Sequence, residues 1–142
     1  MSTSIHPHVE IKVNGKWEHW SAPSHPEQQD YDLFGKMAGV RRDRDEITPI
    51  CEPRGLPADV TLVTRMDYDW QGGPEYVYSA SWFNQAELEA LDKWYREGDH
   101  PEWGGLNRIF GYLFGNGFSG ACGSGSYPPE VEDVRLVFWF DN

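Results

Sequence analysis

The stretch Val134-Arg135-Leu136-Val137-Phe138-Trp139-Phe140 decides the fold. Alternate residues of a strand point to opposite faces, yet neither face of this run is polar. That pattern belongs to a strand covered on both sides, inside a sheet rather than at its edge. Asp141 and Asn142 follow at once.

Outward from this strand, the partners are legible as hairpin and strand signals. Val9, Ile11 and Val13 alternate with His8, Glu10 and Lys12, which is strand period. Asn14-Gly15 marks a turn, and Lys16 to Trp20 returns. A two-residue loop would pair Ile11 with Glu18. A three-residue loop with Gly15 left-handed would pair Ile11 with Trp17 and Val9 with His19, and this register is preferred because it keeps apolar residues together. Glu75 to Trp82 reads as another strand. Tyr76, Tyr78, Ala80 and Trp82 fall on one face, and Val77, Ser79 and Ser81 on the other.

Three helices are expected. The first carries Tyr31, Phe34, Met37 and Ala38, with Ser24 and Glu27 as a capping box and Gly39 as the stop. The second has Asn84 and Glu87 as a capping box, Phe83 and Leu88 as a staple, and Leu88, Leu91 and Trp94 or Tyr95 inward; Gly98 ends it. The third covers Leu106 to Phe114. Val40 to Pro57 is irregular, Val60 to Thr64 is open between helix and strand, Asp67 to Pro74 is a polar loop, and Gly115 to Pro129 is a Gly/Ser-rich loop. These elements define one α+β domain of two layers. A mainly antiparallel sheet of about four strands carries about three helices on one face, with the carboxyl-terminal strand central.

The 142 residues suit one domain, and 15% aromatic content argues against disorder. Twelve Lys and Arg against 23 Asp and Glu leave a net charge of −11. That balance repels phosphate backbones and anionic membranes, so neither general nucleic-acid binding nor membrane association is expected. No apolar run is long enough to span a bilayer, and the amino terminus lacks a signal-peptide pattern. Cys51 and Cys122 are too few for a disulfide scaffold.

The candidate chemistry is sparse. His6 and His8 share one side of a strand with His19 across the hairpin, but no Cys or carboxylate sits at a recognisable ligand spacing, so they read as exposed polar residues and no metal or cofactor is expected. Cys51 has mixed neighbours and reads as structural. The Gly-rich run Gly120 to Gly125 lacks the phosphate-loop pattern. Pro53-Arg54-Gly55-Leu56-Pro57 is more specific: it fixes Arg54 in a rigid turn, either to brace backbone carbonyls or to meet an anionic ligand. Arg41, just past the Gly39 stop, is a second anion contact. Tyr78, Ser79, Ser81 and Trp82 offer an aromatic and hydroxyl surface suited to recognition. No catalytic residue is singled out.

Four segments in order, from Tyr31 to Arg41, Pro49 to Pro57, Ser79 to Phe83 and Asp133 to Asn142, resemble a family of small uncharacterised bacteriophage and prophage proteins. Tyr78 stands where the family pattern has His, and the Gly/Ser-rich loop is lengthened. The resemblance implies a phage accessory protein acting in the cytoplasm of the infected cell. Three functions follow as expectations. The first is a non-catalytic module sequestering a small anionic, nucleotide-like signal of host immunity. The second is an acidic protein inhibitor of a host enzyme, whose −11 charge speeds association with a basic surface. The third is a nucleotide hydrolase. The oligomeric state is left open.

Overall fold

A computed structural model describes residues 2–23, 30–41, 46–98, 105–110, 118–120, 123–125 and 130–142. The carboxyl-terminal run forms the long strand β6, Val131–Asp141, and every residue from Val134 to Phe140 is buried. It lies inside an antiparallel four-stranded sheet of order β2-β1-β6-β3, with β1 at Ser4–Val13, β2 at Lys16–Ser21 and β3 at Tyr78–Phe83. The sheet therefore joins the two ends of the chain: Ser4 pairs with Asp141 and Ile11 with Val134. β1 begins earlier than the alternation from Val9 suggested. Its Pro7 pairs with β6 but lies beyond the reach of β2, where a missing N–H costs least.

The hairpin uses the two-residue loop. Ile11 pairs with Glu18 and Val13 with Lys16, against the three-residue register expected from the apolar pattern. Asn14 and Gly15 both have positive φ, 51° and 75°, the geometry of a two-residue turn whose twist matches the strands. The apolar mismatch is repaired further along. A bulge between the pairs Glu10–His19 and Val9–Ser21 accommodates Trp20, which packs against the core.

One face of the sheet carries Ile5, Val9, Ile11, Leu136, Phe138 and Phe140. Three helices cover it: α1 at Tyr31–Ala38, α3 at Gln85–Glu97 and α4 at Gly105–Phe110. They contribute Leu33, Phe34, Met37, Leu88, Leu91, Tyr95, Leu106 and Phe110 to the same core. Asp30 caps α1 by accepting from the Leu33 N–H, so the helix starts later than a Ser24–Glu27 box required; that pair lies outside the described residues. Gly39, at φ 72°, closes it as expected. The Asn84–Glu87 capping box is present in both directions. Leu113 and the end of the third expected helix lie outside the described residues, as does Cys122.

The open segment resolves as helix α2, Leu62–Trp70, which runs into the expected polar loop and ends on a 3-10 turn at Gly73–Glu75. It lies across the second sheet face, where Tyr68 meets Trp139 edge-on at 5.2 Å. Within the Gly/Ser-rich stretch, β4 at Phe118–Gly120 and β5 at Gly123–Gly125 pair as a small antiparallel ribbon. This ribbon differs from the loop that the sequence leads one to expect, because a Gly/Ser-rich composition carries no strand signal. Among the described residues, no helix is long and apolar enough to cross a membrane.

Candidate functional site

The second sheet face is built differently from the first. Its β1 positions are His6, His8, Glu10 and Lys12, and the register sets Glu10 between His19 of β2 and Arg135 of β6. Arg135 and Glu10 are both almost fully buried and form an ion pair at 2.7 Å. The Glu10 carboxylate also accepts from the Thr61 N–H and hydroxyl and from the Thr64 hydroxyl at 2.7 Å. Every charge on this pair is hydrogen-bonded, the condition under which a buried pair is tolerated; losing one partner typically costs about 3–5 kcal/mol.

Arg135 reaches further. Its Nη1 donates to Asp59 at 2.7 Å and its Nη2 to the Asp59 carbonyl. The hydrogen bond from Arg135 holds the Asp59 carboxyl below its ordinary range. The guanidinium lies 4.0 Å from the Trp17 ring centre, a cation–π stack.

Arg54 repeats the device on the other wall. Its guanidinium lies 4.0 Å from the Trp82 ring centre. Its Nη2 donates to the Trp82 carbonyl and to Glu87 at 2.8 Å. The Arg54 backbone N–H donates to the Ser81 hydroxyl, and the Gly55 N–H to the Ala80 carbonyl. The turn is thus clipped along the outer edge of β3, with Gly55 at φ 80° making it possible. The bracing role open in the sequence is present here.

Between these stacks lies an open groove of about 720 Å³, in the range of small-molecule sites. Trp17 and Trp82 face it, Arg54 and Arg135 line it, and Leu56 to Asp59 with Asn84 and Asp133 complete the wall. Its lining sets two indoles beside two arginines and two aspartates, Asp59 and Asp133.

Of the expected site residues, Arg54 and Trp82 come together at this groove, while Ser81 is buried behind them, paired with Phe138 and accepting from the Arg54 N–H. Arg41 does not. It stacks on Tyr31 at 4.7 Å, at the end of α1. Tyr78 is also elsewhere: its hydroxyl donates to Asn142 at 2.8 Å and its ring packs near Phe140. The reason is a bulge. Tyr78 pairs with Phe140 and Ser81 with Phe138, so three residues on β3 span two on β6, and Ser79 takes φ 55°. Tyr78 then packs with the helix-covered core, whereas Ala80 and Trp82 pack with Val77, Val137 and Trp139 on the opposite face. The single aromatic face expected for Tyr76, Tyr78, Ala80 and Trp82 is divided, because a bulge resets strand alternation. Ser79 lies in the bulge itself, and Ser81 follows it as a buried acceptor for the Arg54 N–H.

The histidines correct a second expectation. His8 is 3% exposed and linked on both sides, to Asp67 of α2 at 2.7 Å and to His19 at 2.9 Å. His6 contacts Asp141 and Gln71. Both imidazoles stack on Trp139, whose Nε1 has no hydrogen-bond partner among the described residues. Burial, and then neighbouring His8, lower the His19 pKa from its ordinary 6.5, against the raising effect of Glu10 and Asp67. Burial pushes the Cys51 thiol up, away from thiolate reactivity. No group of metal-ligating side chains with the right arrangement exists among the described residues.

Trp17, Asp59 and Arg135 escaped the sequence reading. Trp17 belongs to a hairpin read for its register, and Arg135 to a strand read for its apolar neighbours. The one available signal was an arginine inside an otherwise apolar strand, which demands a buried acid. What fold and groove define together is an α+β protein with a tryptophan–arginine cleft on one face of its sheet. No family model, curated protein or solved structure matches the chain.

Proposed function

We propose that this protein is a non-catalytic binding module, and that the groove between Trp17 and Trp82 takes a small, planar, anionic ligand of nucleotide type. The observation that carries this reading is the pair of guanidinium–indole stacks, both at 4.0 Å, opening on one cavity. A base has a π face to lay against an indole, and a phosphate has oxygens to accept from guanidinium N–H groups. The Asp59 side chain is 65% exposed, so its ion pair with the buried Arg135 is the contact an incoming phosphate would replace. On the phage resemblance, the ligand is a signalling nucleotide of host defence that is sequestered, not consumed.

Adenosine monophosphate, cyclic adenosine monophosphate and inorganic phosphate are the probes. At least one nucleotide is expected to raise the melting temperature with one-to-one stoichiometry and to be recovered intact, with phosphate alone much weaker. Trp82→Ala and Trp17→Ala should each weaken binding by about 5- to 150-fold, as loss of a stacking contact worth roughly 1–3 kcal/mol implies. Turnover of the nucleotide would replace this reading with a hydrolase. Absence of any shift would overturn it.

A further inference from the structure

Helix α2 is amphipathic in the reverse sense. Its polar side is the anchored one: Thr64 bonds Glu10, Asp67 meets His8, and Gln71 bonds His6 and Asp67. Its apolar side faces out. Leu62 is 72% exposed, Val63 52%, Met66 61% and Trp70 88%, and Tyr76 just beyond is 73% exposed. Leu62, Met66 and Trp70 are spaced i, i+4, i+8, so they form one stripe along the helix. Surface helices normally turn such a stripe inward. Single exposed apolar residues need no explanation, but a contiguous group containing a tryptophan marks an interaction surface.

We infer that this stripe is a docking surface for a protein partner presenting an apolar cleft rimmed by Lys and Arg. Charge selects that occupant. On the outward side of the segment from Leu62 to Tyr76 the exposed charges are Asp69 and Glu75 against Arg65, which pairs with Asp69 at 3.4 Å, within a molecule of net charge −11. A second copy would bring the same acidic rim against itself, and an anionic lipid surface would meet the same repulsion. A basic rim is attracted at long range and pairs at contact. Trp70 is the natural anchor, since tryptophan dominates the energetic centres of interfaces. This surface lies on the outer side of α2 and does not use the groove residues.

The test uses a synthetic amphipathic helical peptide with a leucine face and lysine flanks, beside the same peptide with glutamate flanks. Fluorescence anisotropy on the full chain is expected to show the lysine peptide binding at least about tenfold tighter, with affinity falling as salt rises. Met66→Asp and Trp70→Asp should each abolish that preference while leaving the melting temperature within a few degrees, because both side chains are exposed. Equal binding of the two peptides, or none, overturns the inference. So does a concentration-dependent dimer in sedimentation equilibrium that Trp70→Asp dissociates, or Trp70-dependent adsorption to phosphatidylglycerol vesicles.

Discussion

Arg54 shows how one side chain can serve structure and site together. It closes the Pro53–Pro57 turn onto β3 through the Trp82 carbonyl, Glu87 and the indole face. Lysine keeps the charge but loses the planar stack and the fork. Arg54→Lys is therefore expected to cost about 1–2 kcal/mol in urea denaturation. If nucleotide affinity falls tenfold as well, Arg54 also contacts ligand; a destabilised protein with intact affinity would confine it to bracing. His19 gives a second residue-level expectation. Its folded-state pKa lies below the ordinary 6.5, so the unfolded chain binds the proton first. Stability is then complete above pH 6.5 and declines as pH falls below it, since the unfolded state holds more protons. His19→Gln should flatten that decline in denaturation curves measured from pH 7 to pH 5. An unchanged slope would assign the loss to other groups. Asp59 contributes in the same sense at lower pH, starting from its ordinary 3.8.

At the scale of elements, β3 carries the instructive case. Alternation along Glu75 to Trp82 reads as one strand, but β3 begins only at Tyr78, after the 3-10 turn that includes Glu75, and its faces differ because one residue, Ser79, takes a left-handed φ of 55° and inserts a bulge. Nothing local demands this at a serine; the pairing with β6 imposes it. Ser79→Gly should preserve or slightly raise stability, since glycine adopts that φ freely. Ser79→Val should lower it by about 1–2 kcal/mol, because a β-branched residue resists positive φ. Equal stabilities in thermal melts of the two variants would remove strain from the account. The capping signals behaved differently. Asn84–Glu87 and Gly39 were readable because a cap is made by residues within one turn of each other. Helix α2 was not, because its β-branched start pulls toward strand, and its contacts with Glu10, His8 and Trp139 come from residues more than fifty positions away.

At the scale of the whole molecule, β6 is the common member of both cores. Leu136, Phe138 and Phe140 serve the helix-covered face, while Val137 and Trp139 serve the face beneath α2. It is also the sole bridge between β1 and β3 within the sheet. Burial of large apolar side chains stabilises by about 1.5–3 kcal/mol each. Together those of β6 approach the 5–15 kcal/mol that typically separates folded from unfolded domains, on the order of magnitude that matters. A chain ending at residue 133 should show no cooperative melt and no dispersed amide spectrum. A folded truncate would place β6 at the periphery of the stability.

The sequence by itself determined the class of fold, the interior position of Val134 to Phe140, the termini of α1 at Gly39 and of α3 at Asn84, and the strand character of both ends of the chain. Those properties follow from period, local capping and apolar runs, which act between near neighbours. Tertiary structure alone decided the hairpin register, the bulge at Ser79, the fate of residues 60–70 and the meeting of Trp17, Trp82, Arg54 and Arg135. Each of these depends on which face of a strand a side chain occupies, and a single inserted residue reverses that face. The groove exists because Arg135 of the last strand and Glu10 of the first, 125 positions apart, find each other beneath α2. An arginine in an apolar strand announces only that some acid must be buried with it; the sheet order names the acid.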